Sequence, residues 1–166
     1  IISVTATYMT SFVLGVWVFE ETKSLTAFGL TEAFYIVPLV LILPVAGVVV
    51  DRYNRKAIMI LSDMLAWIAT SVILYLQLTG SLQVWHLYIA AIFQGIGNAF
   101  QWPAYSAAIS NMVEKKQLVR ANSMMFLMDD GPSIIAPALG VTLLSITAVG
   151  LTGVLVIDVL SFVVAI

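Results

Sequence analysis

The chain has 166 residues, of which 61% are apolar and 10% charged, whereas a soluble domain carries about 25% charged residues. With a mean hydropathy of +1.06, this excludes a water-soluble globule and defines an integral membrane protein. The net charge of -2 gives no reason to expect nucleic acid as a partner, and zero cysteines with a single histidine, His86, exclude a disulfide framework and a thiolate or His-cluster metal site.

A membrane helix needs about 20 apolar residues, and six runs qualify, at 1–19, 28–50, 57–78, 85–109, 122–146 and 149–166. The first begins without a methionine and lacks the basic region of a signal peptide. The last stops in the apolar stretch LSFVVAI, so the chain reads as a piece of something longer. Six of the seven basic residues fall between spans two and three (Arg52, Arg55, Lys56) or four and five (Lys115, Lys116, Arg120); only Lys23 lies on the other face. The positive-inside rule makes the basic face cytoplasmic and places both ends of the six-span chain inside.

Span two carries Glu32 toward its outer end, then Tyr35, Pro38 and Pro44, and leads into GVVVDRYNRK (Gly47–Lys56). A topology signal requires no aspartate and no fixed spacing. Gly47 lies four residues before Asp51 on one helix face, where a missing side chain admits a close neighbour. Asp51, at the membrane exit, suits a hydrogen bond to the N-terminus of a neighbouring helix. Asn54 is expected to take a left-handed turn conformation, with Arg55 and Lys56 opening the next helix at the headgroups. The stretch resembles the loop 2–3 signature of the major facilitator superfamily, G-x-x-x-D-R-x-G-R-R/K. Gly47, Asp51, Arg52, Arg55 and Lys56 match it, and Asn54 replaces a glycine.

Span three contains Asp63, about 10 Å in from Lys56. Span four offers Gly95 and Ala99 as a small-xxx-small packing face, then Trp102 and Pro103. The stretch from Gln94 to Met125 resembles spans four and five of the drug and siderophore exporters of that superfamily, through Pro103-Ala104 and Ala121-Asn122-Ser123. Asn122 or Ser123 is expected to cap span five. Span five holds Asp129 and Asp130, about 10–12 Å beyond Asn122, and the stretch GPSIIAPALG. Within it, Ala136, Pro137 and Gly140 resemble the span-five antiporter motif G-P-x-x-G, with alanine for the first glycine. Pro132 and Pro137 are the counterparts of Pro38 and Pro44, because spans two and five are each the middle helix of a triplet. Interrupted helices at corresponding positions are expected in an inverted repeat. Span six contains Asp158.

An aspartate at the centre of a membrane helix costs about 2.5–3.5 kcal/mol on insertion scales, so intramembrane carboxylates point to function. Glu32, Asp129, Asp130 and Asp158, with Tyr35 and Trp102, are the candidates for a substrate or proton pathway. Gly47, Asp51, Arg52, Asn54, Arg55 and Lys56 are candidates for a conformational switch. The resemblance implies an all-α membrane protein: six transmembrane helices in two inverted three-helix repeats, the N-terminal half of a twelve-helix carrier. It implies a non-enzymatic secondary transporter in a bacterial inner membrane, exporting a small amphipathic molecule. The proton gradient supplies the energy and no cofactor or metal is needed. Its partners are the substrate, the lipid bilayer and the C-terminal half of the same chain. Uptake, or a scaffold without transport, are the alternatives; an enzyme finds no Cys, His cluster, nucleotide loop or Ser-His pair to work with.

Overall fold

A computed structural model describes residues 2–112, 117–145 and 150–165. Among them are six α-helices: α1 (Ile2–Thr22), α2 (Leu25–Arg52), α3 (Arg55–Leu78), α4 (Val84–Met112), α5 (Leu118–Ser145) and α6 (Gly150–Ala165). Each lies over one of the six apolar runs. Backbone polar groups cannot be left unpaired in hydrocarbon, so helices are the form these runs must take.

The helix ends follow from local chemistry. Ser24 caps α2 by accepting from the Ala27 N–H at 3.3 Å. Lys23, with φ 53°, makes the turn before it. At the C-terminal end of α3, Gly80 takes φ 65°. There Ser81 N donates to Leu76 O and Gly80 N to Gln77 O, the paired bonds of a Schellman cap. The expected cap of α5 at Asn122 or Ser123 is not where the helix begins. It starts at Leu118, because Leu118-Val119-Arg120-Ala121 contains no breaker and continues the helix toward the basic loop.

Prolines interrupt nothing here. Pro38 and Pro44 lie inside α2, Pro103 inside α4, and Pro132 and Pro137 inside α5. Each withholds one N–H from the carbonyl four residues earlier, yet the helices run through them. The expectation of broken middle helices therefore gives way to helices that continue through their prolines, since packed neighbours hold the helix together across a single lost bond.

The packing has an internal two-fold logic. α4 lies along α2 and α3, while α1 lies along α5 and α6, and α3 meets α6. Exchanging α1 with α4, α2 with α5 and α3 with α6 leaves this pattern unchanged, as two inverted three-helix repeats require. The core forms where α1, α3, α4, α5 and α6 converge, around Val13, Val18, Ile73, Leu87, Ala136, Val154 and Leu155.

Close approach is set by glycine at three crossings. A Cβ on Gly95 would collide with the Tyr35 carbonyl oxygen, seating α4 against the α2 backbone, and Ala99 one turn on is fully buried. A Cβ on Gly97 would come within 3.1 Å of Ser62 O on α3, and one on Gly140 within 2.9 Å of Val13 Cγ2 on α1.

Candidate functional site

Three polar groupings stand out against the apolar packing, and they lie in different places. The first is the loop between α2 and α3. Asp51 and Arg52 end α2, and Asp51, Arg52, Asn54 and Lys56 are exposed. Asp51 makes no hydrogen bond or ion pair among the described residues, and a Cβ on Gly47 would meet nothing within 4 Å. Among the described residues, nothing fills the space beside Gly47.

Asn54 is not left-handed. It sits at φ -65°, ψ 112° as the N-cap of α3, its Oδ1 accepting from Lys56 N at 3.0 Å and Ala57 N at 3.3 Å. An asparagine oxygen satisfies two of the helix's orphan N–H groups, and that outcompetes a left-handed turn. Asn54→Ala is therefore expected to lower the stability of the full-length protein by about 1 kcal/mol and Asn54→Gly by only a few tenths. Thermal unfolding in detergent checks this; a left-handed residue would be stabilised by glycine.

The second grouping is exposed and lies across α1, α2 and α4. Tyr35 is half-buried in α2, within electrostatic reach of Tyr8 on α1 and of Glu32 one turn back. Glu32 is exposed and Tyr8 is 39% exposed. Phe34 lies 5.0 Å, centroid to centroid, from Tyr88, whose hydroxyl donates to Ala27 O at 3.3 Å. Trp102, 53% exposed, stands further along α4. The structure thus brings Glu32 and Tyr35 together and adds Tyr8, which the sequence did not single out.

The third grouping is buried. Asp158 on α6 is 5% exposed and its Oδ1 accepts from Thr7 Oγ1 on α1 at 3.1 Å. Thr10, one turn along α1, is buried beside the same carboxyl. Trp67 on α3 donates through Nε1 to Val159 O at 3.3 Å and stacks on Phe162 at 5.8 Å. Asp63 belongs elsewhere: Gln101 Nε2 on α4 donates to its Oδ1 at 2.6 Å, and Gln94 Nε2 donates to Thr70 Oγ1 at 3.4 Å. Both pairs join α3 to antiparallel α4. The glutamines were legible, since two amides two turns apart share a face of an otherwise apolar helix. Asp129 and Asp130 lie in α5, but their side chains are outside the described residues.

In span five, Ala136 and Gly140 are buried against α1 and Pro132 is buried, while Pro137 is half-exposed. The span-five motif residues Ala136 and Gly140 therefore let α5 lie close to α1, with Gly140 over Met9 and Val13. Among the described residues, no group of three His, Cys, Asp or Glu side chains could hold a metal ion.

Residues 1–166 match the Major Facilitator Superfamily family model over their whole length. The chain belongs to that superfamily. It is similar to Macrolide efflux protein A of Streptococcus pyogenes, 31% identical over 146 residues, which is 88% of this chain and 36% of the relative. Macrolide efflux protein A of Enterococcus faecalis is 34% identical over 122 residues, 74% of this chain and 37% of the relative. An uncharacterized MFS-type transporter of Bacillus subtilis (strain 168), YfiS, is 26% identical over 111 residues, 67% of this chain and 25% of the relative. The chain thus spans little more than a third of the length of the macrolide efflux relatives. As a superfamily member it is an all-α membrane protein, and its six helices are half of a twelve-helix fold.

Proposed function

We propose that this chain is the N-terminal half of a secondary carrier that exports a small amphipathic molecule of the macrolide kind in exchange for protons. The observation that carries the reading is the similarity, over 88% of the chain, to a protein named for macrolide efflux. The exposed Tyr8–Glu32–Tyr35 grouping is compatible with it. A carboxylate near two tyrosines suits a bulky apolar molecule bearing an amine. Such a wall is open on one side until a second half closes it. The protein works without enzymatic chemistry and without a bound cofactor, drawing on the proton gradient. It resides in the bacterial inner membrane, with the α2–α3 and α4–α5 loops cytoplasmic.

The test is radiolabelled macrolide accumulation in cells of a drug-sensitive bacterium expressing the full-length protein. Accumulation should fall on expression and recover when a protonophore collapses the gradient. Unchanged accumulation would sink export of this class, and efflux indifferent to the protonophore would sink proton coupling.

A further inference from the structure

We infer that Asp158 is a proton-exchanging carboxyl, served by a single water held in the pocket between α1, α3 and α6; the inference rests on the proton-coupled reading above and names the group that carries the proton. The pocket is lined by Thr7, Ala66, Trp67, Thr70, Asp158, Val159 and Phe162 and measures about 20 Å³. One water requires about 10–15 Å³ and two to four polar partners. Asp158, Thr7 and Thr70 supply them. Thr70 is 4% exposed, and its oxygen accepts from Gln94, which leaves its own O–H to donate into the pocket.

The site lies deep. Asp158 is about 12 Å along α6 from Gly150, and Thr70 about 12 Å along α3 from Leu78, so both sit at one level near the membrane centre. Yet the carboxyl is not sealed: Thr7, which holds it, is exposed, so a single hydroxyl separates it from the surface of α1.

Among the described residues, nothing cationic faces this carboxyl. The helices packed on α6 are α1, α3 and α5. α1 has no Lys or Arg; its Glu20 and Glu21 are exposed at the far end, and Tyr8 lies toward Tyr35. On α3, Asp63 is bonded to Gln101, and Arg55 and Lys56 are about two turns beyond it. On α5, Asp130 lies about 15 Å along the axis from Gly140, and Asp129 and Arg120 lie farther; Gly140 is the residue packed on Met9 and Val13. A buried carboxylate without a cation costs several kcal/mol, and a proton removes that cost.

Thr10 makes the exchange reversible. It is 1% exposed, and its hydroxyl has no hydrogen-bond partner among the described residues. Facing the carboxylate, it donates; facing the acid, it accepts from the new O–H. Protonation is a single transfer. The O–H bond of a protonated pocket water breaks, its electron pair stays on the water, and the proton bonds a carboxylate oxygen of Asp158. The reverse step returns the proton to water when the site opens to the other side.

Infrared difference spectroscopy on the purified full-length protein tests the assignment without any substrate. A carboxylic C=O band that titrates reversibly is expected in the wild type, lost in Asp158→Asn and shifted in frequency in Thr10→Val, a change of similar volume. No such band, or one that survives Asp158→Asn, overturns the inference. In proteoliposomes, one proton exchanged across one pH unit supports about tenfold accumulation of radiolabelled macrolide. Asp158→Asn should flatten that to none, and Asp158→Glu, which keeps the carboxyl, should retain a response to the gradient. Loss of folded protein in Asp158→Asn, unrescued by Asp158→Glu, marks a structural residue and overturns the inference, as does a sodium gradient driving transport through Asp158. A wild type indifferent to the pH gradient overturns proton coupling itself. A gradient response kept by Asp158→Asn overturns only this assignment.

Discussion

Gly95→Ala is expected to prevent the full-length protein from accumulating in folded form. The added methyl collides with the Tyr35 carbonyl oxygen, a backbone atom that moves only if α2 moves. Overpacking a well-packed contact costs about 1–3 kcal/mol and more when the neighbour cannot yield. That is a large fraction of the about 5–15 kcal/mol that holds a domain folded. Gly140→Ala should be milder, because it meets the Val13 side chain and Met9 Cγ, which can adjust. Detergent-solubilised yield and the monodispersity of the peak on size exclusion rank the two; equal yields for Gly95→Ala and wild type would show that α2 and α4 do not pack this closely.

The second large effect is expected at Asp51, with the fold left intact. Asp51 is exposed, and among the described residues its replacement disturbs no hydrogen bond or ion pair, so Asp51→Asn should change stability by no more than about 0.5 kcal/mol. If its carboxylate bonds a helix end of the C-terminal half and biases the inward–outward equilibrium, losing that bond removes a coupling of about 1–3 kcal/mol, or about 5–150-fold in the balance of states. Gly47→Leu should behave alike, since among the described residues nothing lies within 4 Å of its Cβ position. Macrolide efflux and thermal unfolding, measured on the same full-length variants, separate the outcomes. Full efflux by Asp51→Asn removes the residue from the switch.

Much of this architecture is legible in the sequence because lipid leaves the chain little choice. Apolar runs fix the helices to within a few residues, and basic loops suggest the topology. The motif from Gly47 to Lys56 carries the family. What escapes is chemistry that depends on who meets whom. The two repeats pair their helices alike, but the close crossing between α2 and α4 uses a glycine on α4, whereas its counterpart between α5 and α1 uses Gly140 on α5. The contact repeats and the residue does not, so no sequence repeat shows. Asn54 misleads because glycine and asparagine are exchangeable both in left-handed turns and at helix caps. Asp158 is visible as a carboxylate in an apolar run, whereas Thr7 and Thr10 look like ordinary hydroxyls until α1 and α6 are placed side by side.

The interleaving of the repeats also orders events in time. α1 finds its main partners only in α5 and α6, and Thr7 is 151 residues upstream of Asp158. At about 5–20 residues per second of synthesis, that gap is about 8–30 s. For that interval the nascent α1 has only its contact with α2, where Gly15 meets Phe28, and Thr7 lacks its partner, while α2, α3 and α4 can already assemble. The first helix made is thus among the last to be locked in place. A ribosome pause between α4 and α6 would prolong the interval in which the newborn protein is most open to the quality-control proteases of the membrane.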